Sequence, residues 1–216
     1  DEFLGRAKTL ILNHRSGELF DILKDAARQF NDICEDVSRA KVGVVGEIFL
    51  KYNPYAQRET IDWLISKNIE PVPSCLIDFF VQCFVNSKVN VGSLLERRKL
   101  SDFLLQLLYK IVKSQIEKVN AIASEFKYFR PFEDIFESAR EAEKVVSLNS
   151  QFGEGWLLPA EIMSLAKSGV KNVVSLQPFG CIANHIVSKG IERRVKAHYP
   201  DMNILSLDFD GGVSGV

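Results

Sequence analysis

The sequence predicts an α/β protein with a Rossmann-like, open and mainly parallel sheet of about four strands, flanked by helices. Short runs rich in β-branched residues alternate with longer segments of helical periodicity. Glycine, proline or asparagine separates most of these segments, and the sequence shows no internal repeat. Such alternation favours a parallel sheet with right-handed crossover connections and helices on both faces.

The first half of the chain contains two predicted strands. Asn53 and Pro54 are typical of a helix start, and Ser74 is expected to cap the helix that follows the second strand. The predicted elements are, in order, one or two helices over 1–40, a strand over 42–46, a helix over 55–67, a strand over 68–74 and a helix that continues to Phe84.

A helical insertion over about 92–150 is predicted between strands two and three. Its main segment, 94–129, has a broad apolar face and contains neither glycine nor proline. The remaining predicted elements are a helix over 135–148, a helix over 157–167, a strand over 172–176, a helix over 184–198 and a strand over 203–208.

Two segments make up the predicted domain organisation. Residues 1–40 form a helical segment that packs on the core, and residues 41–216 form the Rossmann-like domain with its insertion. The chain starts within a helical pattern and stops directly after a strand pattern. We therefore expect it to be a fragment of a longer polypeptide.

Composition excludes several classes of partner. The 216 residues are 46% apolar and carry a formal net charge of -1. Nucleic-acid and anionic-membrane binding usually require a basic excess, so neither is predicted. No apolar run reaches the roughly 18 residues of a membrane span, and no signal-peptide pattern precedes the first helix. The predicted location is the cytoplasm.

Four cysteines are scattered along the chain without a C-x-x-C pair. Cys34 and Cys83 lie in helical patterns and are expected to act as small apolar side chains, and Cys75 begins a predicted helix. Neither a P-loop nor a G-x-G-x-x-G motif follows a predicted strand. No cysteine pairing and no phosphate-binding motif is therefore predicted.

The carboxyl ends of the strands are the expected location of a site, because loops there meet helix N-termini. Cys181 stands in a glycine-containing turn just before a predicted helix, where the helix dipole favours thiolate. His185 follows one helical turn later. Spacing alone leaves open whether Cys181 does chemistry or fills space. Four loops lie at this edge; they contain Glu47, Tyr52 and Asn53 after strand one, Ser74 and Cys75 after strand two, Gln177, Gly180, Cys181, Asn184 and His185 after strand three, and Asp208, Asp210 and two glycines after strand four. The candidate site residues among them are Glu47, Gly180, Cys181, Asn184 and His185.

Four stretches resemble one family, in the same order along the chain. They resemble the C-terminal region of the large bacterial proteins known as CoA-substrate-specific enzyme activases, which are related to the activator of 2-hydroxyglutaryl-CoA dehydratase. That region is in turn similar to 2-hydroxyacyl-CoA dehydratase subunits. The resemblance covers residues 41 to the end and is carried by VGVVGEIFLKYNPYA, GEGWLLPAEI, LQPFGCIANHIVSKG and NILSLDFDGGVSG.

The resemblance implies a four-iron, four-sulfur cluster and low-potential electron transfer driven by ATP. Cys181 matches a cluster ligand of the family, and Glu47, Gly180, Asn184 and His185 would line the cavity. A cluster needs about three or four thiolates, so the others would come from the rest of the polypeptide and this fragment alone would be cluster-free. ATP would bind to a different domain.

The implied partners are an ATPase portion of the same polypeptide and a dehydratase or an acyl-CoA substrate. Two departures from the common motif, Ile182-Ala183 and Gly211, remove no metal ligand. The sequence assigns no catalytic residue, and whether the domain is itself an enzyme stays open.

Two other functions remain as alternatives. The chain could be a non-catalytic domain that docks the ATPase onto a partner dehydratase through apolar residues of the insertion, such as Leu104, Leu107, Leu108 and Ile111. A thiol hydrolase using Cys181 and His185 is the third, although the sequence identifies no acid to orient the histidine.

Overall fold

A computed structural model describes residues 2–211 of the chain, and within that range it has nine α-helices and four β-strands. No helix among these residues is long and apolar enough to cross a membrane. The helices are α1 (Glu2–Leu12), α2 (Leu19–Ile33), α3 (Ile48–Tyr52), α4 (Thr60–Ser66), α5 (Leu76–Gly92), α6 (Leu100–Ala123), α7 (Ile135–Glu143), α8 (Leu157–Lys167) and α9 (Glu192–His198). The strands are β1 (Ala40–Gly46), β2 (Ile69–Pro73), β3 (Asn172–Pro178) and β4 (Asn203–Phe209), and a π-helical segment covers Ala183–Ser188.

The chain divides into two compact units. Among the described residues, unit 1 comprises residues 2–37 and 103–133, and unit 2 comprises residues 38–102 and 134–211. The N-terminal helices α1 and α2 therefore share a unit with most of α6, while β1 to β4 all belong to unit 2.

Unit 2 is built on an open parallel sheet. Its strands lie side by side in the order β2, β1, β3, β4. In this register Gly43 of β1 pairs with Val72 of β2 on one side and with Val173 of β3 on the other. Helices α5 to α8 lie between β2 and β3 along the chain. The predicted fold class, a Rossmann-like sheet with a helical insertion between strands two and three, is confirmed.

Buried side chains cover both faces of this sheet. Val44 and Val45 are fully buried neighbours in β1, and because strand residues alternate they belong to different core clusters. Val45 shares a cluster with Ile162 and Met163 of α8. Val44 shares the other with Leu50 of α3. The sheet therefore has helices on two sides, as a parallel sheet requires.

The region between β1 and β2 differs from the prediction. The helix predicted over 55–67 is wrong in its first part, because turns follow Asn53 and α4 begins at Thr60. The Asn53 side chain accepts a hydrogen bond from the N–H of Ala56 at 3.2 Å and so stabilises a turn. The short helix α3, which directly follows β1, was not indicated by the sequence.

The predicted role of Ser74 as a helix cap is also wrong. Helix α5 begins at Leu76 with Cys75 in the capping position, and Ser74 Oγ instead accepts a hydrogen bond from Lys51 Nζ at 2.8 Å. The Ser74 hydroxyl therefore has Lys51 as its hydrogen-bond partner and does not cap α5.

The helix predicted over 94–129 is shorter in the structure, where α6 covers Leu100–Ala123. Leu94 has a φ of 59°, a left-handed backbone conformation that interrupts a right-handed helix. Helix α7 likewise ends at Glu143, earlier than predicted.

Unit 1 is held together by contacts between α2 and the residues after α6. Arg28 Nε donates to Glu125 Oε2 at 2.7 Å. Asn31 Nδ2 donates to the carbonyl of Glu125 at 2.7 Å, and its Oδ1 accepts from the N–H of Lys127 at 2.9 Å. The rings of Phe30 and Phe126 pack edge to face at 6.2 Å. The N-terminal segment thus has its own partners in the insertion.

Candidate functional site

The order of the strands defines where a ligand site is expected. Strand β2, which follows β1 in the chain, lies on one side of β1, whereas β3 and β4 lie on its other side. This reversal makes the gap between β1 and β3 the topological switch point, at which open α/β sheets bind ligands beyond the carboxyl ends of the strands. Glu47 follows β1 and the Cys181 turn follows β3, so both loops border the switch point.

Cys181 lies in a tight turn directly after β3. The N–H of Cys181 donates to the carbonyl of Pro178 at 3.1 Å, and Gly180 supplies the positive φ, 82°, that this turn needs. The thiol is half-buried. Asn184 Nδ2 lies 3.2 Å from Cys181 Sγ as a hydrogen-bond donor. The sulfur therefore faces an N–H group, and a contact of this kind stabilises negative charge on sulfur.

Asn184 is fully buried. While its Nδ2 faces the sulfur, its Oδ1 has no hydrogen-bond partner within residues 2–211. A buried carbonyl oxygen without a donor costs about 1–3 kcal/mol. The protein tolerates this cost at the one side chain that donates to Cys181 Sγ.

The segment after Cys181 is not the regular helix predicted over 184–198. Ala183–Ser188 is π-helical, and α9 begins only at Glu192. Ser188 Oγ and Ser175 Oγ, both buried, lie 3.3 Å apart and connect this segment to β3. Such π-helical turns are rare and frequently occur at functional sites. A helix N-terminus directly after Cys181 is confirmed, because helical residues begin at Ile182, but the helix contains a π-helical segment and is interrupted at Ile191.

Three side chains lie against Asp208, at the end of β4: those of Gln177, Lys189 and His185. Its Oδ1 accepts from Gln177 Nε2 of β3, and its Oδ2 accepts from Lys189 Nζ at 3.3 Å. The hydrogen bond from Gln177, with the positive charge of Lys189, holds the pKa of Asp208 below its usual value. The carboxylate is therefore ionised and fixed beside the Cys181 turn.

His185 lies next to the same carboxylate. Its Nε2 is 3.0 Å from Asp208 Oδ1, but Nε2 makes no hydrogen bond within the described part of the chain. The ring of Phe179 packs edge to face against the imidazole at 6.0 Å. His185 thus has a neighbouring carboxylate that motif searching did not connect to it.

Glu47 is used within its own loop. Its Oε2 accepts a hydrogen bond from the N–H of Leu50 at 3.0 Å and caps α3. The N–H of Ile48 donates to Glu154 Oε1 at 2.8 Å. Two carboxylates therefore occupy the first N–H groups of α3, where a nucleotide phosphate would bind in a Rossmann fold. This agrees with the lack of a phosphate-binding motif.

A buried ion pair lies at the carboxyl ends of β1 and β2. Lys51 Nζ is 2.6 Å from Glu161 Oε1, and the two side chains are 4% and 3% exposed. Lys51 Nζ also donates to Ser74 Oγ. Burial raises the pKa of Glu161, and the charge of Lys51 opposes that rise. Sequence reasoning missed both residues, because their meeting depends on α3 and α8 being neighbours.

Cys75 lies beside this pair and is chemically unlike a reactive thiol. Burial raises its pKa to about 11, so it is a thiol at neutral pH. The Tyr52 hydroxyl, which donates to the carbonyl of Ser74 at 2.5 Å, also has a raised pKa because of burial. Strand β1 separates the β2 end, with Cys75, from the β3 end, with Cys181.

The cysteines do not come together. Cys83 is exposed on α5 rather than packed as a small apolar side chain, and Cys34 is half-buried just after α2. Within residues 2–211 no group of three or more Cys, His, Asp or Glu side chains is placed to hold a metal ion. These residues alone therefore do not fit a cluster that needs three or four thiolates.

Comparison of the chain with protein-family models, with curated proteins and with solved structures found no match.

Proposed function

We propose that this chain is a domain of the CoA-substrate-specific activase and 2-hydroxyacyl-CoA dehydratase type, with the Cys181 turn as its functional site. In this proposal Cys181 contributes one thiolate to an iron–sulfur cluster that other parts of the polypeptide complete. ATP binds to a different domain, and an acyl-CoA compound or a dehydratase is the partner. The domain would take part in low-potential electron transfer.

One observation carries the proposal: a buried asparagine donates a hydrogen bond to a half-buried cysteine sulfur at the switch point of the sheet. Asn184 Nδ2 lies 3.2 Å from Cys181 Sγ. Hydrogen bonds to sulfur stabilise thiolate and are one of the ways in which proteins tune iron–sulfur centres. Gly180 allows the turn, and His185 borders it.

The described residues supply a single suitable cysteine, Cys181, for such a cluster. What this domain's own residues do is hold a sulfur in a fixed turn, direct an N–H group at it and keep an ionised carboxylate, Asp208, beside it.

The test is iron and acid-labile sulfide in the anaerobically prepared polypeptide that contains this domain. Cys181→Ala is expected to lower both, because one ligand is lost. Cys83→Ala is the matched control, since Cys83 is an exposed thiol on α5. If iron content in Cys181→Ala equals that of the control, Cys181 is not a ligand.

A second candidate, a non-catalytic docking domain, is favoured by the surface of α6. Six large apolar side chains at helical spacing over three turns are each about half-exposed or more; they are Leu100, Phe103, Leu104, Leu107, Leu108 and Ile111. Contiguous apolar surface of this kind is typical of interaction sites.

Binding of the chain to a candidate dehydratase or to the ATPase portion separates the two functions. The docking function predicts that Leu104→Ser together with Leu107→Ser weakens the association, whereas Cys181→Ala does not. The leading proposal predicts that the Leu104 and Leu107 changes leave the iron content unaltered.

A further inference from the structure

We propose that Asp208 is a positioning residue that holds the Cys181 turn in place through the side chains of Gln177, His185 and Lys189. This inference rests on the proposed function in one respect: it takes the Cys181 turn as the working site. Its contacts and its test involve no metal.

Two side chains that follow Cys181 lie against Asp208. Lys189 Nζ lies 3.3 Å from Asp208 Oδ2, and His185 Nε2 lies 3.0 Å from Asp208 Oδ1. Both follow Cys181 on the π-helical segment or directly after it. One carboxylate at the end of β4 thus contacts the segment on the β3 side over about one helical turn.

Gln177 makes this attachment hard to release. It is fully buried, its Nε2 donates to Asp208 Oδ1, and its Oε1 has no partner among the residues that the structure describes. Without Asp208, both polar ends of a buried amide would lack a partner, which is strongly unfavourable. The hydrogen bond is also charge-assisted, because the low pKa of Asp208 keeps it ionised.

Strand pairing places the Asp208 carboxylate directly beside Gln177. Gln177 and Asp208 are partners in the parallel register of β3 and β4, and the next pair is Pro178 with Phe209. The N–H of Phe179 then donates to the carbonyl of Phe209 at 2.8 Å, which carries the pairing into the turn itself. The hydrogen-bonded pairing of β3 and β4 thus continues to Phe179, two residues before Cys181.

The Asp208 side chain is still 41% exposed, so water competes for its ion pair with Lys189 and for its contact with His185. The attachment is therefore expected to be graded: removing the charge should loosen the turn in part, and removing the whole carboxyl group should loosen it further.

The experiment compares Asp208→Ala, Asp208→Asn and the matched control Asp201→Ala in the intact chain. Asp201 also forms an ion pair, with Lys171 at 2.8 Å, but at the amino ends of β3 and β4. Amide hydrogen exchange is measured in peptides covering 179–190. Labelling by N-ethylmaleimide is measured as the ratio of Cys181 to the exposed Cys83.

Asp208→Ala is expected to speed exchange in 179–190 by about fivefold or more, because local opening becomes easier. The labelling ratio should rise about threefold or more, since a half-buried thiol becomes accessible. Asp208→Asn, which keeps an acceptor for Gln177, should lie between the wild type and Asp208→Ala. Asp201→Ala should change neither quantity.

Equal exchange and equal labelling ratios in Asp208→Ala and the wild type would overturn the inference. Faster exchange across all of unit 2, with a lowered unfolding temperature in both Asp208 variants, would also overturn it, since the role would then be general stability. Neither result depends on iron, so failure of the cluster proposal is seen separately, in the iron content of Cys181→Ala.

Discussion

Lys51 and Glu161 show how a single pair of residues supports the strand ends. Their side chains are almost fully buried and lie 2.6 Å apart, and Ser74 takes a further hydrogen bond from the same ammonium group. Two charges removed from water gain little net stability from each other, because desolvation offsets their attraction. Removing only one of them, however, leaves the other charge buried and unpaired.

Lys51→Met is therefore expected to lower the free energy of unfolding by about 3–5 kcal/mol. The double variant Lys51→Met, Glu161→Leu should recover most of this loss, because no unpaired charge remains. Urea unfolding at neutral pH measures both.

Lys171→Met is the control for this prediction, because its partner Asp201 is exposed and the pair is screened by solvent. Its unfolding midpoint should equal that of the wild type. A double variant no more stable than Lys51→Met would contradict the assignment of the loss to the unpaired Glu161.

At the residue scale, the sequence placed the residues of the site at one edge of the sheet, but it could not show which of them meet. Cys181, Asn184 and His185 are close in sequence, and a turn followed by a helical segment brings them together. Asp208 acquires its role through strand pairing with Gln177, which no local pattern shows. Glu47 was identified by its place after β1, but its contacts are within its own loop.

At the scale of elements, β1 and β3 approach each other closely at Gly46. This residue has a φ of 124°, and a Cβ added there would lie 1.9 Å from the carbonyl oxygen of Leu176. The neighbouring N–H of Glu47 donates to that same oxygen at 2.9 Å. A side chain at position 46 is therefore excluded by the partner strand itself, which cannot move without breaking the ladder.

Gly46→Ala is expected to destabilise the protein by more than about 3 kcal/mol, since steric overlap with backbone adds to an unfavourable φ. Gly180→Ala serves as the control: its φ of 82° is also positive, but no atom lies within 4 Å of the added Cβ. Only the backbone strain of about 1 kcal/mol should remain there.

Thermal or urea unfolding of the two variants measures the difference. Similar stabilities for Gly46→Ala and Gly180→Ala would show that the close approach to Leu176 is not limiting.

Strands were predicted more accurately than the helices between them. Each strand is a short segment with apolar residues that is bounded by glycine, proline or asparagine, so its position can be recognised from the local sequence. The start of α3 depends instead on capping by Glu47, and α4 begins directly after the left-handed backbone of Arg58 and Glu59. The π-helical form of Ala183–Ser188 likewise has no period that sequence analysis recognises.

At the scale of the whole molecule, unit 1 is assembled from two distant parts of the chain. Residues 1–37 supply Arg28, Phe30 and Asn31, and residues 103–133 supply their partners near Glu125 and Phe126. The sequence predicted helices in both parts, but it could not show that they pair, because amphipathic helices are not specific about the apolar surface they bury.

Removing residues 1–37 is therefore expected to speed amide exchange in peptides covering 118–128 by about tenfold or more, because they lose the helix that covers them. Peptides covering β3 should exchange as in the intact chain. Unchanged exchange in 118–128 would mean that the N-terminal helices do not stabilise this segment.

The sequence by itself determined the α/β class and the four strands, because the spacing of apolar residues is a local record of what each segment buries. It also singled out the Cys181 turn, since a glycine before a cysteine at a strand end is readable without the fold. Only the tertiary structure decided that Asp208 and Gln177 meet beside that turn, and that Lys51 meets Glu161. Side chains far apart in the chain become partners through strand order and helix packing, and those arise only when the sheet assembles.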